Sequence, residues 1–232
     1  MTSGRWRQWG GAPANEGRLG SRPGPPTEPA SSGLQRLGLG GERDGLLYVP
    51  AGYSPDQPAP FVLMLHGAGG SASGGLWPFQ EHADAEGLVL LAIDSRGPTW
   101  DVIRGGYGPD VAFIDRALSH SFARVAVNPA RVAIEGFSDG ASYALSLGLT
   151  NGDLFTHIVA FSPGFAAPAD QIGQPRIYIS HGVHDEVLPI DRCSRRLVPM
   201  IQGAGYDVRY REFDDGHTIP PEITHEALDW LR

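Results

Sequence analysis

Short runs of uninterrupted apolar residues, spaced by helix-sized stretches, constrain this chain more than any other feature. Residues 61–65 (Phe-Val-Leu-Met-Leu) and 88–93 (Leu-Val-Leu-Leu-Ala-Ile) show no alternation of polar and apolar positions. Runs of this kind suit strands buried on both faces, the situation of parallel strands covered by helices. Comparable runs occupy 131–137, 157–161 and 176–180. Residues 46–49 stop at Pro50 and read as an early edge strand, while 207–213 alternate in polarity as an opposite edge would. Between the runs, Val111, Ile114, Leu118 and Phe122 form one apolar stripe at helical spacing. Ile223, Ala227, Trp230 and Leu231 form another, behind a Pro220-Pro221 pair suited to a first turn. Pro199 predicts a kink or an early stop in the helix expected after Ile190. Strands alternating with helices predict an α/β class, with a mostly parallel central sheet and helices on both faces.

A chain of 232 residues suits one sizeable α/β domain. Residues 1–33 are rich in Gly, Pro, Ser and Ala and hold almost no branched aliphatics. Little apolar area is available there to offset ordering entropy, so 1–33 is expected to be a flexible tail and 34–232 the folded domain. Trp6 and Trp9 are the tail's only large apolar groups.

A net charge of −8 argues against a nucleic-acid partner. All 18 basic residues are arginine, so Schiff-base chemistry and a Ser-Lys dyad are excluded. Cys193 is the single cysteine; it is expected to be a buried structural thiol and has no partner for an internal disulfide. No apolar stretch approaches the roughly 20 residues of a membrane span. The first residues lack the apolar core of a secretory signal, so cytoplasmic residence is the expectation.

The chemistry collects at the ends of the apolar runs, where open parallel sheets build their sites. His66-Gly-Ala-Gly-Gly70 follows the first buried run, and Gly136-Phe-Ser-Asp-Gly140 follows the run at 131–135. His181-Gly-Val-His-Asp185 follows the run ending at Ser180, and Asp214-Asp-Gly-His217 follows the last strand. A serine on a sharp strand-to-helix turn is held clear of the sheet edge, with glycines on either side to relieve crowding. Its hydroxyl becomes a useful nucleophile only with a base and an oxyanion site nearby. The order Ser, Asp, His along the chain is the order that architecture requires.

These four segments make the sequence resemble the α/β-hydrolase superfamily over roughly residues 34–232, and within it small carboxylesterase/lysophospholipase-type serine esterases. Residues 96–101 (Arg-Gly-Pro-Thr-Trp-Asp) also resemble a segment of polyhydroxyalkanoate-depolymerase and feruloyl-esterase relatives. The resemblance implies that Ser138 attacks an ester carbonyl, His217 shuttles the proton and Asp185 orients the imidazole. It further implies an oxyanion hole made by the backbone N–H groups of Ala68 and Asp139, with no cofactor and no metal. A small-molecule ester is the implied substrate, cleaved through an acyl-enzyme.

Lysophospholipase, thioesterase and peptidase-like acyl hydrolysis are alternatives, as is a non-catalytic binding module on the same scaffold. Asp191 is a second candidate for the acid. Asp214 and Asp215 read as turn residues, His66 as a brace for its loop. His181 and His184, with His217, are the residues a metal site would have to use. Trp77, Trp100 and Tyr107 are candidates to wall the substrate pocket. Asp139 stands where many relatives carry Gln, Asn or an apolar residue, and puts a carboxylate beside the oxyanion site that disfavours anionic substrates. The stretch 162–175 is too short for a helical lid, which predicts an open cleft and soluble, short- to medium-chain esters. Oligomeric state is left open by the sequence.

Overall fold

The computed structural model of the protein describes residues 17–232; Trp6, Trp9 and the rest of 1–16 lie outside the described residues. An eight-stranded sheet runs through the molecule in the order β1-β2-β4-β3-β5-β6-β7-β8. Its strands are β1 (Gly33–Arg36), β2 (Gly45–Val49), β3 (Ala59–Leu65) and β4 (Val89–Ile93), then β5 (Val127–Phe137), β6 (His157–Phe161), β7 (Arg176–Gly182) and β8 (Val208–Phe213). From β4 across to β8 every pairing is parallel, while β1 pairs with β2, and β2 with β4, antiparallel. The strand at 46–49 is therefore not an edge. The edge is β1, a four-residue strand whose polar, half-exposed pattern carries no apolar run to announce it.

Helices cover both faces, as the doubly apolar strands demand. On one face lie α3 (Pro109–Phe122), α4 (Asp139–Thr150) and α5 (Ser194–Gly203), packed over Phe61, Leu63, Ile134 and Ile179. The other face carries α1 (Ala72–Leu76), α2 (Ala83–Glu86) and α6 (Pro221–Leu231), packed over Val62, Met64, Val159 and Tyr178. Helix α5 continues through Pro199 to Gly203 rather than stopping at it. Cys193 is buried and forms the N-cap of α5. No helix among the described residues is long and apolar enough to cross a membrane.

Residues 17–32 are seated on the domain, although their composition predicts a tail. Leu19 is buried, and its N–H donates to Asn151 Oδ1 at 2.9 Å. Asn151 returns a hydrogen bond to Gly17 O at 2.7 Å, and Arg18 makes a two-pronged contact with Asp153 at 2.9 and 2.8 Å. Further along, the Gly20 and Ser21 N–H groups donate to Asp115, and those of Thr27 and Glu28 to Ala123 O. The segment is held by Asp115 of α3, by Asn151 and Asp153 just past α4 and by the Ala123 carbonyl, a route to order that a count of its own apolar residues does not register.

The connection from β6 to β7 contains no helix. It lies flat because three hydroxyls on α4, each four residues from the next, accept its N–H groups. Ser142 takes Gly164 at 2.9 Å, Ser146 takes Ala167 at 2.9 Å and Thr150 takes Ala169 at 3.2 Å. The spacing puts the three hydroxyls on one helical face. Each also donates back to the carbonyl four residues earlier, so none is left unsatisfied.

Candidate active site

Strand β5 ends at Phe137 and α4 begins at Asp139, so the whole reversal falls on Ser138. Ser138 has φ +58° and ψ −118°. A serine in this region costs on the order of 1–3 kcal/mol, sustained by its surroundings. The flanking residues must be glycine: a Cβ on Gly136 would lie 2.2 Å from Gly140 O, and one on Gly140 would lie 2.2 Å from Leu65 O. The Ser138 N–H donates to Phe161 O at 2.9 Å and pins the turn to the neighbouring strand.

Ser138 Oγ is 2.9 Å from His217 Nε2, and His217 Nδ1 is 2.6 Å from Asp185 Oδ2. With Nδ1–H donated to the carboxylate, Nε2 is free to accept the serine proton. The Phe137 ring packs against the imidazole, centroids 4.7 Å apart. Asp185 is buried, and its other oxygen accepts the Val187 and Leu188 N–H groups at 2.9 and 2.7 Å. Burial pushes its pKa up, but the hydrogen bonds from His217 and Leu188 outweigh that and hold it below the ordinary carboxylate value.

A second imidazole supports the same acid. His181 Nε2 donates to Leu188 O at 2.8 Å and lies 3.2 Å from Asp185 Oδ2, while Nδ1 accepts the Ser194 hydroxyl at 2.7 Å. Burial lowers the His181 pKa, which favours this neutral tautomer. Sequence reasoning weighed His181 only as a metal ligand; its i, i+4 spacing from Asp185 on a tight turn was the available signal. The other candidates separate from the site. Asp191 pairs with Arg195 on the surface, and exposed His184 pairs with exposed Asp214.

The loop after β3 faces Ser138. His66 braces it: Nδ1–H donates to Gly67 O at 2.7 Å and Nε2 accepts the Ser95 N–H at 3.0 Å. The Gly69 N–H donates to Pro98 O at 2.8 Å, joining this loop to the one after β4. Among the described residues the Ala68 N–H has no protein acceptor, and the Asp139 N–H is a first-turn donor of α4 with no carbonyl behind it. The Asp139 carboxylate is turned aside and accepts the Thr99 hydroxyl. No feature of the sequence announces Thr99 as that partner.

Of the three aromatic candidates, Trp77 alone borders the cavity beside the loop after β3. This opening of about 240 Å³ is lined by Gly67, Ala68, Trp77, Glu135, Phe137 and Ile219, among others. Trp100 is instead fully buried; its Nε1–H donates to His66 O at 2.8 Å and its ring stacks on Tyr143. Tyr107 is half-buried, donates to Ala167 O at 3.1 Å and packs against Gly17. Both lie on the correct loop, but indole and phenol polar atoms in a covered position need protein acceptors, and these turn them inward.

Comparisons with known proteins bear on the family and the fold. Residues 111–232 match the family model described as Phospholipase/Carboxylesterase, more than half of the chain. The chain belongs to that family. It is similar to feruloyl esterase C of Emericella nidulans, 28% identical over 157 residues, covering 64% of this chain and 57% of the relative. It is also similar to acyl-protein thioesterase 1 of Gibberella zeae, 28% identical over 114 residues, covering 45% of this chain and 48% of the relative. The chain thus spans about half the length of these curated relatives. Among solved structures it resembles a thermophilic esterase from Thermogutta terrifontis at a TM-score of 0.65 and 17% identity, covering 86% of this chain and 91% of that one. The fold is that of the α/β-hydrolases.

Proposed function

We propose that this chain is a serine carboxylesterase that cleaves short- to medium-chain carboxylic esters through an acyl-enzyme. The observation that carries this reading is the unbroken line of hydrogen bonds from Ser138 through His217 to Asp185, on an elbow whose glycines admit no side chain. Ser138 Oγ attacks the ester carbonyl as its proton passes to His217 Nε2. Asp185 stabilises the imidazolium that results, without itself taking the proton. The carbonyl oxygen, now negative, is met by the N–H groups of Ala68 and Asp139; one such donor contributes about 3 kcal/mol to the transition state. His217 then returns the proton to the departing alcohol oxygen. Water, deprotonated by the same nitrogen, attacks the acyl-enzyme carbonyl and regenerates Ser138.

Size supports the short-chain reading. A cavity of about 240 Å³ is below the roughly 300–1,000 Å³ that holds a drug-sized ligand. The α4 hydroxyls hold the β6–β7 connection away from the role of a helical lid. A fluorophosphonate probe should label Ser138 in the native protein, and label neither Ser138→Ala nor heat-unfolded protein. Across p-nitrophenyl esters, kcat/KM should peak at acyl chains of about two to eight carbons, where modest apolar burial suffices. It should not jump at the solubility limit. Absence of native labelling would favour a non-catalytic binding module. Similarity to an acyl-protein thioesterase favours thioester cleavage as the second reading; a butyryl thioester turned over faster than the matched oxyester would make it the first.

A further inference from the structure

Glu135 is a buried acid that the hydrolytic mechanism does not use. It lies on β5, three residues before Ser138, in the stretch 132–137 that is otherwise free of polar side chains. Its exposure is 1%, and neither carboxyl oxygen has a hydrogen-bond partner among the described residues. Strand alternation puts its side chain on the same face as Ala133 and Phe137. Met64 of β3 and Val159 of β6 stand beside it in register, so its flanks within the sheet are apolar. Unpartnered carboxyl oxygens in such a place are costly, and native proteins carry few of them.

Glu135 is nevertheless one of the residues that line the cavity beside the loop after β3. The cavity's far wall is α1, a five-residue helix that contains adjacent Gly74 and Gly75. Both glycines line the cavity and add no side chain to it. His66 also borders the cavity, but both of its ring nitrogens are already engaged, by Gly67 and Ser95. Trp77 carries an indole N–H on the exposed rim, so Glu135 is the buried lining side chain whose polar atoms lack partners among the described residues.

We propose that Glu135 determines specificity by hydrogen-bonding a hydroxyl carried by the ester that fills this cavity, so that hydroxylated short esters are preferred to alkyl esters of the same size. The inference rests on the esterase reading of the Ser138 site. Desolvation favours the protonated carboxyl, which holds one donor and one acceptor. A hydroxyl complements both and brings no charge. A substrate carboxylate would meet no cation here, and an ammonium would require a buried ion pair among Met64, Val159 and Phe137. A site built to pair a substrate hydroxyl discriminates strongly against the analogue that lacks it, because its own polar atoms are then left unpaired.

The test uses two isosteric pairs. p-Nitrophenyl 3-hydroxybutyrate against p-nitrophenyl 3-methylbutyrate reads a hydroxyl on the acyl side. 2-Hydroxyethyl butyrate against propyl butyrate reads one on the alcohol side. For the wild type, kcat/KM should favour the hydroxylated member of one pair by about tenfold or more, and the pair in which this happens assigns the cavity to that side. Glu135→Met should bring the ratio close to one through a loss on the hydroxylated ester. Glu135→Gln, which keeps a donor and an acceptor, should retain much of the preference and controls for any folding defect in the methionine variant. Equal handling of both pairs by wild type, or an unchanged ratio in Glu135→Met, would overturn the proposal while leaving the esterase reading intact. No hydrolysis of any of the four esters, with no phosphonate labelling of Ser138, would overturn both.

Discussion

The Thr99 hydroxyl donates to Asp139 Oδ2 at 2.6 Å, tying the loop after β4 to the first residue of α4. This contact gives a role to a carboxylate that is otherwise out of place beside an oxyanion site. It holds the carboxylate toward Thr99, and in the proposed mechanism the Asp139 N–H is then the group that faces the substrate. Thr99→Val should release the carboxylate toward the developing oxyanion and lower kcat by about tenfold, or 1.4 kcal/mol, with KM little changed. Asp139→Asn still offers Thr99 a carbonyl oxygen and should stay within about threefold of wild type. Steady-state kinetics on p-nitrophenyl acetate decides between them.

His181 is a positioning residue for Asp185. Replacing it with Gln should shift the Asp185 carboxylate, reduce kcat about tenfold, or 1.4 kcal/mol, and leave KM nearly unchanged. A parallel fall in KM and kcat, or a loss of activity that tracks thermal stability alone, would count against this role.

Glu135 should make stability depend on pH. Burial raises its pKa well above 4.5 in the folded chain. Above pH 4.5 the unfolded chain releases a proton that the folded chain keeps, so stability falls as pH rises, until the raised value is passed. The slope reaches about 1.4 kcal/mol per pH unit for one proton. Urea unfolding at several pH values should show this component in wild type and lose it in Glu135→Gln.

Asp153 anchors residues 17–22. Hydrogen bonds from Arg18, with help from Arg22, overcome the opposing effect of burial and lower its pKa to about 2. The anchoring is therefore fully present above the ordinary value of 3.8 and is lost as pH falls toward 2. At neutral pH, Asp153→Asn should speed amide exchange in residues 17–22, Leu19 included, and leave exchange in β5 and β6 unchanged. Exchange mass spectrometry with peptide resolution reads both.

Much of this fold is legible in the sequence because its central strands are buried on two faces. The run at 157–161 coincides with β6, and the runs at 61–65 and 88–93 fall on β3 and β4. Edge and tail segments are less legible because their order comes from elsewhere. β1 owes its place to the backbone of β2, and residues 17–32 owe theirs to Asp115, Asn151 and Asp153. Helix α5 ignores the warning of Pro199 because Leu197, Val198 and Ile201 are buried on either side of it. At the site, Ser138, Asp185 and His217 were readable from strand ends and chain order. Trp100 and Tyr107 were not, since a side chain's direction depends on which acceptor reaches it first.

Cys193 is the only thiol in the chain, and it sits immediately before Ser194, the residue whose hydroxyl supports His181 and through it Asp185. Cys193 is buried, at 6% exposure, while this corner is packed. Alkylation must wait for a local opening, which makes the rate of thiol loss a clock for the excursions in which the acid stands without its support. The protein thus carries an internal gauge of how often its proposed catalytic acid loses that support.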